Sequence, residues 1–149
     1  MNEAFDFLIG LFVDSDPDHF LEITLLDDRH KDDAPTWKGG KKRAAVTGWL
    51  QIEDIHDKLP AWLDRCAARN DAGMCIYFGG GARGEKQPKG KRGLKSSVAT
   101  APALWVDIDC GVEMIEAAHD TLLGIVHPPS VIIASGGGVQ AWWVLKEPL

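Results

Sequence analysis

Apolar residues at Phe5, Leu8, Ile9 and Phe12 recur at helical spacing and predict an inward-facing helix over 3–13, which the acidic, proline-containing stretch 14–18 ends. Leu21, Ile23 and Leu25 alternate with more polar neighbours, as in a half-buried strand, and the charged, Gly- and Pro-containing segment 27–42 reads as a loop. A second strand is predicted over 45–52. It is followed by helix over 53–70, within which Pro60 should begin a new helix after a break. Residues 70–73 close that helix, and 74–78 reads as a third strand. Periodicity then disappears from 79 to 99, a long glycine-rich loop of the kind that is usually functional or disordered. It returns as a strand over 103–109, a helix over 112–123 with Val112, Ile115, Leu122 and Leu123 inward, a turn at Pro128-Pro129, and strands over 131–135 and 139–146. The order in this last part is β-α-β-β. The expectation is a mixed α/β (α+β) chain with an N-terminal module over 1–101 and a smaller module over 102–149.

Charge is distributed unevenly along this pattern. The formal net charge is −6, yet residues 1–33 hold ten acids against two bases, while Lys38, Lys41, Lys42 and Arg43 form a basic knot. Between 83 and 95 lie Arg83, Lys86, Lys89, Lys91, Arg92 and Lys95, against the single acid Glu85. A solvated loop is the plainest use of such a run, but its place just before an acid-bearing strand suits it to phosphate or nucleic acid. The apolar runs are too short to span a bilayer and the acidic start lacks a signal peptide's basic region, so a cytoplasmic protein without a membrane partner is expected. Cys66, Cys75 and Cys110 lack metal-knuckle spacing and read as free thiols.

The strand Leu104-Trp105-Val106-Asp107-Ile108-Asp109 ends in two acids one residue apart. Alternation turns Asp107 and Asp109 to one face and Leu104, Val106 and Ile108 to the other. Two neighbouring carboxylates repel unless a cation joins them, and hard oxygen donors favour Mg²⁺ or Mn²⁺. In two-metal sites such a pair holds ions that activate an attacking oxygen and stabilise a leaving pyrophosphate. Downstream, Ser135 precedes Gly136, Gly137 and Gly138, a run whose backbone N–H groups can approach a phosphate unobstructed, or which simply turns a hairpin. On the next strand Gln140, Trp142 and Val144 share a face opposite Val139, Ala141 and Trp143, so at least one tryptophan belongs to the core.

This ordered set resembles the archaeo-eukaryotic primase superfamily, in particular the primase or primase-polymerase domains of phage and plasmid replication proteins. The resemblance covers about residues 40–149 and includes Cys75-Ile76-Tyr77-Phe78-Gly79-Gly80-Gly81-Ala82-Arg83 before the basic loop. It implies an RRM-like catalytic module in which Asp107 and Asp109 bind Mg²⁺ or Mn²⁺ and Ser135, Gly136, Gly137, Gly138 and Gln140 lie at the incoming nucleotide's phosphates. Arg83 and Lys95 would assist there, while Lys86, Lys89, Lys91 and Arg92 would meet nucleic acid. Nucleoside triphosphates and a single-stranded DNA template would be the partners, with a helicase as a further domain or partner.

Two departures stand out. The family places a histidine where this chain has Gln140, which donates a hydrogen bond but carries no positive charge. The family's third motif, an acid on a later strand, has no counterpart before Leu149, so the β-α-β-β module is expected to be incomplete and the chain a fragment of a longer replication protein. The rivals are a non-catalytic nucleic-acid-binding accessory and, more remotely, a metal-dependent sugar transferase.

Overall fold

A computed structural model describes residues 3–27, 45–88 and 91–149. The basic knot at Lys38, Lys41, Lys42 and Arg43, together with Lys89, lies outside these residues. The chain is mixed α+β with antiparallel sheets, and it divides into two compact units, 1–100 and 101–149.

In the first unit, helix α1 (Glu3–Phe12) buries Leu8, Leu11 and Phe12. Strand β1 (Phe20–Asp27) is central. Strand β2 (Ala45–Gln51) pairs with one of its edges, and β3 (Met74–Phe78) and then β4 (Ala82–Arg83) follow each other along the other edge. Strand β5 (Val98–Thr100) pairs with β4. Thus the segment 79–99, expected to be loop throughout, contributes two short strands and a 3-10 turn at Lys95–Ser97. Neither strand carries a readable alternation, because β4 is ordered by pairing with β1, far back in sequence, and β5 in turn by pairing with β4.

Between the pairs Ile23↔Phe78 and Phe20↔Arg83, residues 21–22 of β1 face residues 79–82, a bulge built on consecutive glycines. The Gly79 N–H reaches the Glu22 carbonyl at 2.8 Å. A β-carbon on Gly81 would lie 2.8 Å from the Thr100 carbonyl oxygen, so glycine is required for β5 to come this close.

Helix α2 (Ile55–Asp71) runs through Pro60 without the expected break. Proline removes its own N–H from the helical ladder, and its ring crowds the carbonyl of the residue four back. Pro60 is exposed while its neighbour Leu59 is fully buried, so solvent can satisfy the freed carbonyl and packing holds the helix together. The polar phase of β1 also departs from expectation. Glu22 and Thr24 are as buried as Leu21 and Ile23, so this strand is covered on both faces.

The second unit is a three-stranded sheet ordered β6-β8-β7, formed by β6 (Ala103–Ile108), β7 (Val131–Ala134) and β8 (Val139–Val144). Helix α3 (Ile115–Leu123) links β6 to β7, and β8 lies antiparallel between them. One sheet face packs on this helix: Val139, Ala141 and Leu122 form the core, with Ile108, Ile115, Ala118, Ile132 and Trp143 against it. Val112 and Leu123, expected inside, are exposed, because the first turn over Val112–Met114 is 3-10 and shifts the helical phase. Leu104 and Val106, also expected to fill that face, are 53% and 40% exposed, because β6 is the sheet's edge and α3 packs toward β8. Trp143 anchors the helix side by donating from Nε1 to the His127 carbonyl at 2.8 Å.

Candidate functional site

The β6–β8 register sets Asp107 directly opposite Gln140, and Ile133 of β7 faces Gln140 from the other side. Directly paired residues project to the same sheet face, so a carboxylate and a carboxamide stand side by side on the face away from α3. Along this face Trp105 pairs with Trp142, their rings stacked at 5.2 Å between centroids and 17° between planes. Of Trp142 and Trp143, at least one of which is expected in the core, Trp142 is buried, packed against the Trp105 indole.

Asp109 lies one residue past the end of β6, where the chain meets the β7–β8 turn. The three glycines of that turn have different physical reasons. Gly136 adopts φ +87°, a backbone conformation that disfavours any other residue. Gly138 is buried, and a β-carbon there would run into the Ile108 carbonyl and lie 3.1 Å from the Asp109 α-carbon. Gly137 needs neither positive φ nor space, for nothing lies within 4 Å of where its β-carbon would stand. The Ser135 N–H donates to the Gly138 carbonyl at 2.9 Å and leaves the Ser135 side chain exposed at the mouth.

A further bond ties the acid-bearing loop to this turn. The Gly111 N–H donates to the Gly137 carbonyl at 3.0 Å, with Gly111 at φ +79°. The sequence signal for this link is the glycine of the Asp109-Cys110-Gly111 run. Asp107, Asp109, Ser135, Gly136, Gly137, Gly138 and Gln140 therefore gather at one end of one sheet.

Asp107 and Asp109 are exposed, and neither forms an ion pair with a described residue. Two carboxylates of like charge without a cationic side-chain partner suit a hard divalent cation in donor chemistry. Among the described residues, no group of three or more His, Cys, Asp or Glu side chains converges as a ready-made metal site.

The basic residues belong to the other unit. Arg83 is tied down: its Nη2 lies 3.0 Å from Oε2 of the buried Glu22, and its Nη1 donates to the Leu94 carbonyl at 2.9 Å. Lys86 places its ammonium 4.5 Å from the centre of the Phe20 ring. Lys91, Arg92 and Lys95 are exposed. Glu22 is a residue that sequence reasoning missed. Its only signal was an acid in the middle of an otherwise apolar strand.

Among the described residues, no helix is long and apolar enough to cross a membrane. No protein-family model matches the chain, and no curated protein or solved structure matches it either.

Proposed function

We propose that the chain carries a primase-type nucleotidyltransferase site, used for template-directed joining of nucleotides in phage or plasmid replication. The observation that carries this reading is the meeting of the acid-bearing end of β6 with the glycine turn, through Gly138 against Asp109 and Gly111 on Gly137. The β6-α3-β7-β8 connectivity with β8 between the other two strands agrees with the β-α-β-β order this reading expects, which favours it over a sugar transferase.

In this proposal Asp107 and Asp109 hold Mg²⁺ or Mn²⁺, which when bound supplies charge stabilisation for nucleotidyl transfer. The turn's open side at Gly136 and Gly137 lets triphosphate oxygens approach the backbone, with the Ser135 hydroxyl as a further donor. Gln140, held beside Asp107 by the ladder, donates a hydrogen bond from its carboxamide without adding charge.

The test is primer synthesis or template-dependent extension with Mn²⁺ or Mg²⁺, by this chain and by a version extended through any downstream coding sequence. Activity abolished by Asp107→Ala and by Asp109→Ala supports the assignment. Activity surviving both changes would end it, and an extended protein that binds DNA but stays inert with either metal would favour the non-catalytic accessory.

A further inference from the structure

The basic loop after β4 is not simply a solvated charge run. It is fastened to the central strand by a buried carboxylate. Glu22, its side chain 5% exposed, accepts the Gly93 N–H on Oε1 at 2.9 Å and pairs through Oε2 with Arg83, itself only 14% exposed. Arg83 in turn holds the Leu94 carbonyl, and the Ser97 hydroxyl donates to the same oxygen at 2.8 Å. Gly93 leaves room for this crossing: a β-carbon there would lie 2.6 Å from Glu22 Oε2 and 2.9 Å from the Arg83 guanidinium, so the pair would have to shift to admit it. The fastening is followed at once by Lys95 and preceded by Lys91 and Arg92, all three exposed and in no ion pair with a described residue.

An isolated buried ion pair contributes little net stability, because desolvation offsets its Coulomb attraction. A pair that also satisfies two loop backbone groups fixes geometry instead. We propose that Glu22 and Arg83 are positioning residues that hold Lys91, Arg92 and Lys95 as a preorganised cationic ledge for the phosphate backbone of single-stranded nucleic acid. This rests on the template-directed reading above, and it gives Arg83 a positioning task in place of direct phosphate contact. Preorganisation matters because ordering a loop on binding subtracts from affinity.

The test is a fluorescence-anisotropy titration of the full chain with a labelled oligothymidylate across a salt series, in EDTA and without triphosphates. It therefore reads binding alone, and it can succeed even if nucleotidyl transfer is absent. Removing a phosphate contact by Lys91→Ala, Arg92→Ala or Lys95→Ala should flatten the log–log salt slope by about 0.7 each. Glu22→Gln and Gly93→Ala change no cation on the ledge. Each should weaken binding about tenfold while the salt slope is retained, the signature of lost order rather than lost contacts. Arg83→Lys keeps the charge but not the fork, and should behave in the same way.

Circular dichroism confirms which variants fold, and Gly93→Ala carries the test if Glu22→Gln does not. Unchanged affinity in folded Glu22→Gln and Gly93→Ala would overturn the proposal. So would displacement of the oligonucleotide by an equimolar nucleoside triphosphate, which would make the ledge a triphosphate site, or failure of the unaltered chain to bind the oligonucleotide.

Discussion

Asp107 and Gln140 face each other across the β6–β8 ladder, so a neutral amide is fixed beside the first acid of the pair. The amide neither competes with a cation for that carboxylate nor titrates near neutrality. Under the proposed function, Gln140→His should therefore introduce a new dependence of nucleotidyl transfer on pH between about 5 and 8. Rate–pH profiles of the two proteins check this, and superimposable profiles would mean that position 140 stands apart from the reacting phosphates.

Asp107 and Asp109 are exposed and unpaired among the described residues, so their removal should leave the fold nearly untouched. Asp107→Asn and Asp109→Asn are expected to shift unfolding free energy by no more than about 0.5 kcal/mol. Isothermal titration with Mn²⁺ should at the same time lose its binding heat. A large loss of stability in urea would instead identify a structural role for the acids.

The glycines of the β7–β8 turn should separate cleanly. Gly138→Ala forces a β-carbon against the Ile108 carbonyl and is expected to cost about 1–3 kcal/mol in urea denaturation. Gly137→Ala meets open space and should be neutral to stability. Its added methyl sits where phosphate would approach, so weaker triphosphate binding with intact folding is the expected result.

Burial pushes the Cys66 thiol up, with the nearby Arg65 charge opposing that rise. A raised folded pKa means that the native state keeps its proton after the unfolded chain has lost it. Stability is therefore retained below the ordinary thiol pKa and declines as pH rises through the window up to the folded value. Cys66→Ala should flatten this alkaline decline in urea midpoints. At neutral pH, Cys66 should also react with iodoacetamide more slowly than Cys75 or Cys110, which are only partly buried.

The Trp105–Trp142 stack should contribute about 0.5–1.5 kcal/mol beyond its buried area. Trp105→Ala is expected to lower the stability of the unit by at least that amount and to change the tryptophan emission. A double-mutant cycle with Trp142→Phe isolates the pair.

Much of the second unit was legible because its cues are local. Alternation through Val139, Ala141 and Trp143 on one side and Gln140 and Trp142 on the other is what the sheet realises, with Ile115 and Leu122 under it. Alternation gives faces, however, and not neighbours. That β6 lies at the edge, leaving Leu104 and Val106 exposed, depends on strand order, which no local pattern encodes. The same limit hid Glu22, whose N–H donor Gly93 lies 71 residues away. Pro60 misled for a different reason: a breaker's cost is set by whether its freed carbonyl meets solvent, and that follows from packing.

The bond from the Gly111 amide to the Gly137 carbonyl has a kinetic consequence. Fraying of the turn must release the chain just beyond Asp109, and clamping of the turn by a bound anion must steady it. If the proposed site takes a triphosphate, deuterium uptake at that one amide should slow when the triphosphate is added, even in a protein stripped of both carboxylates, so that anion arrival is timed separately from any metal capture.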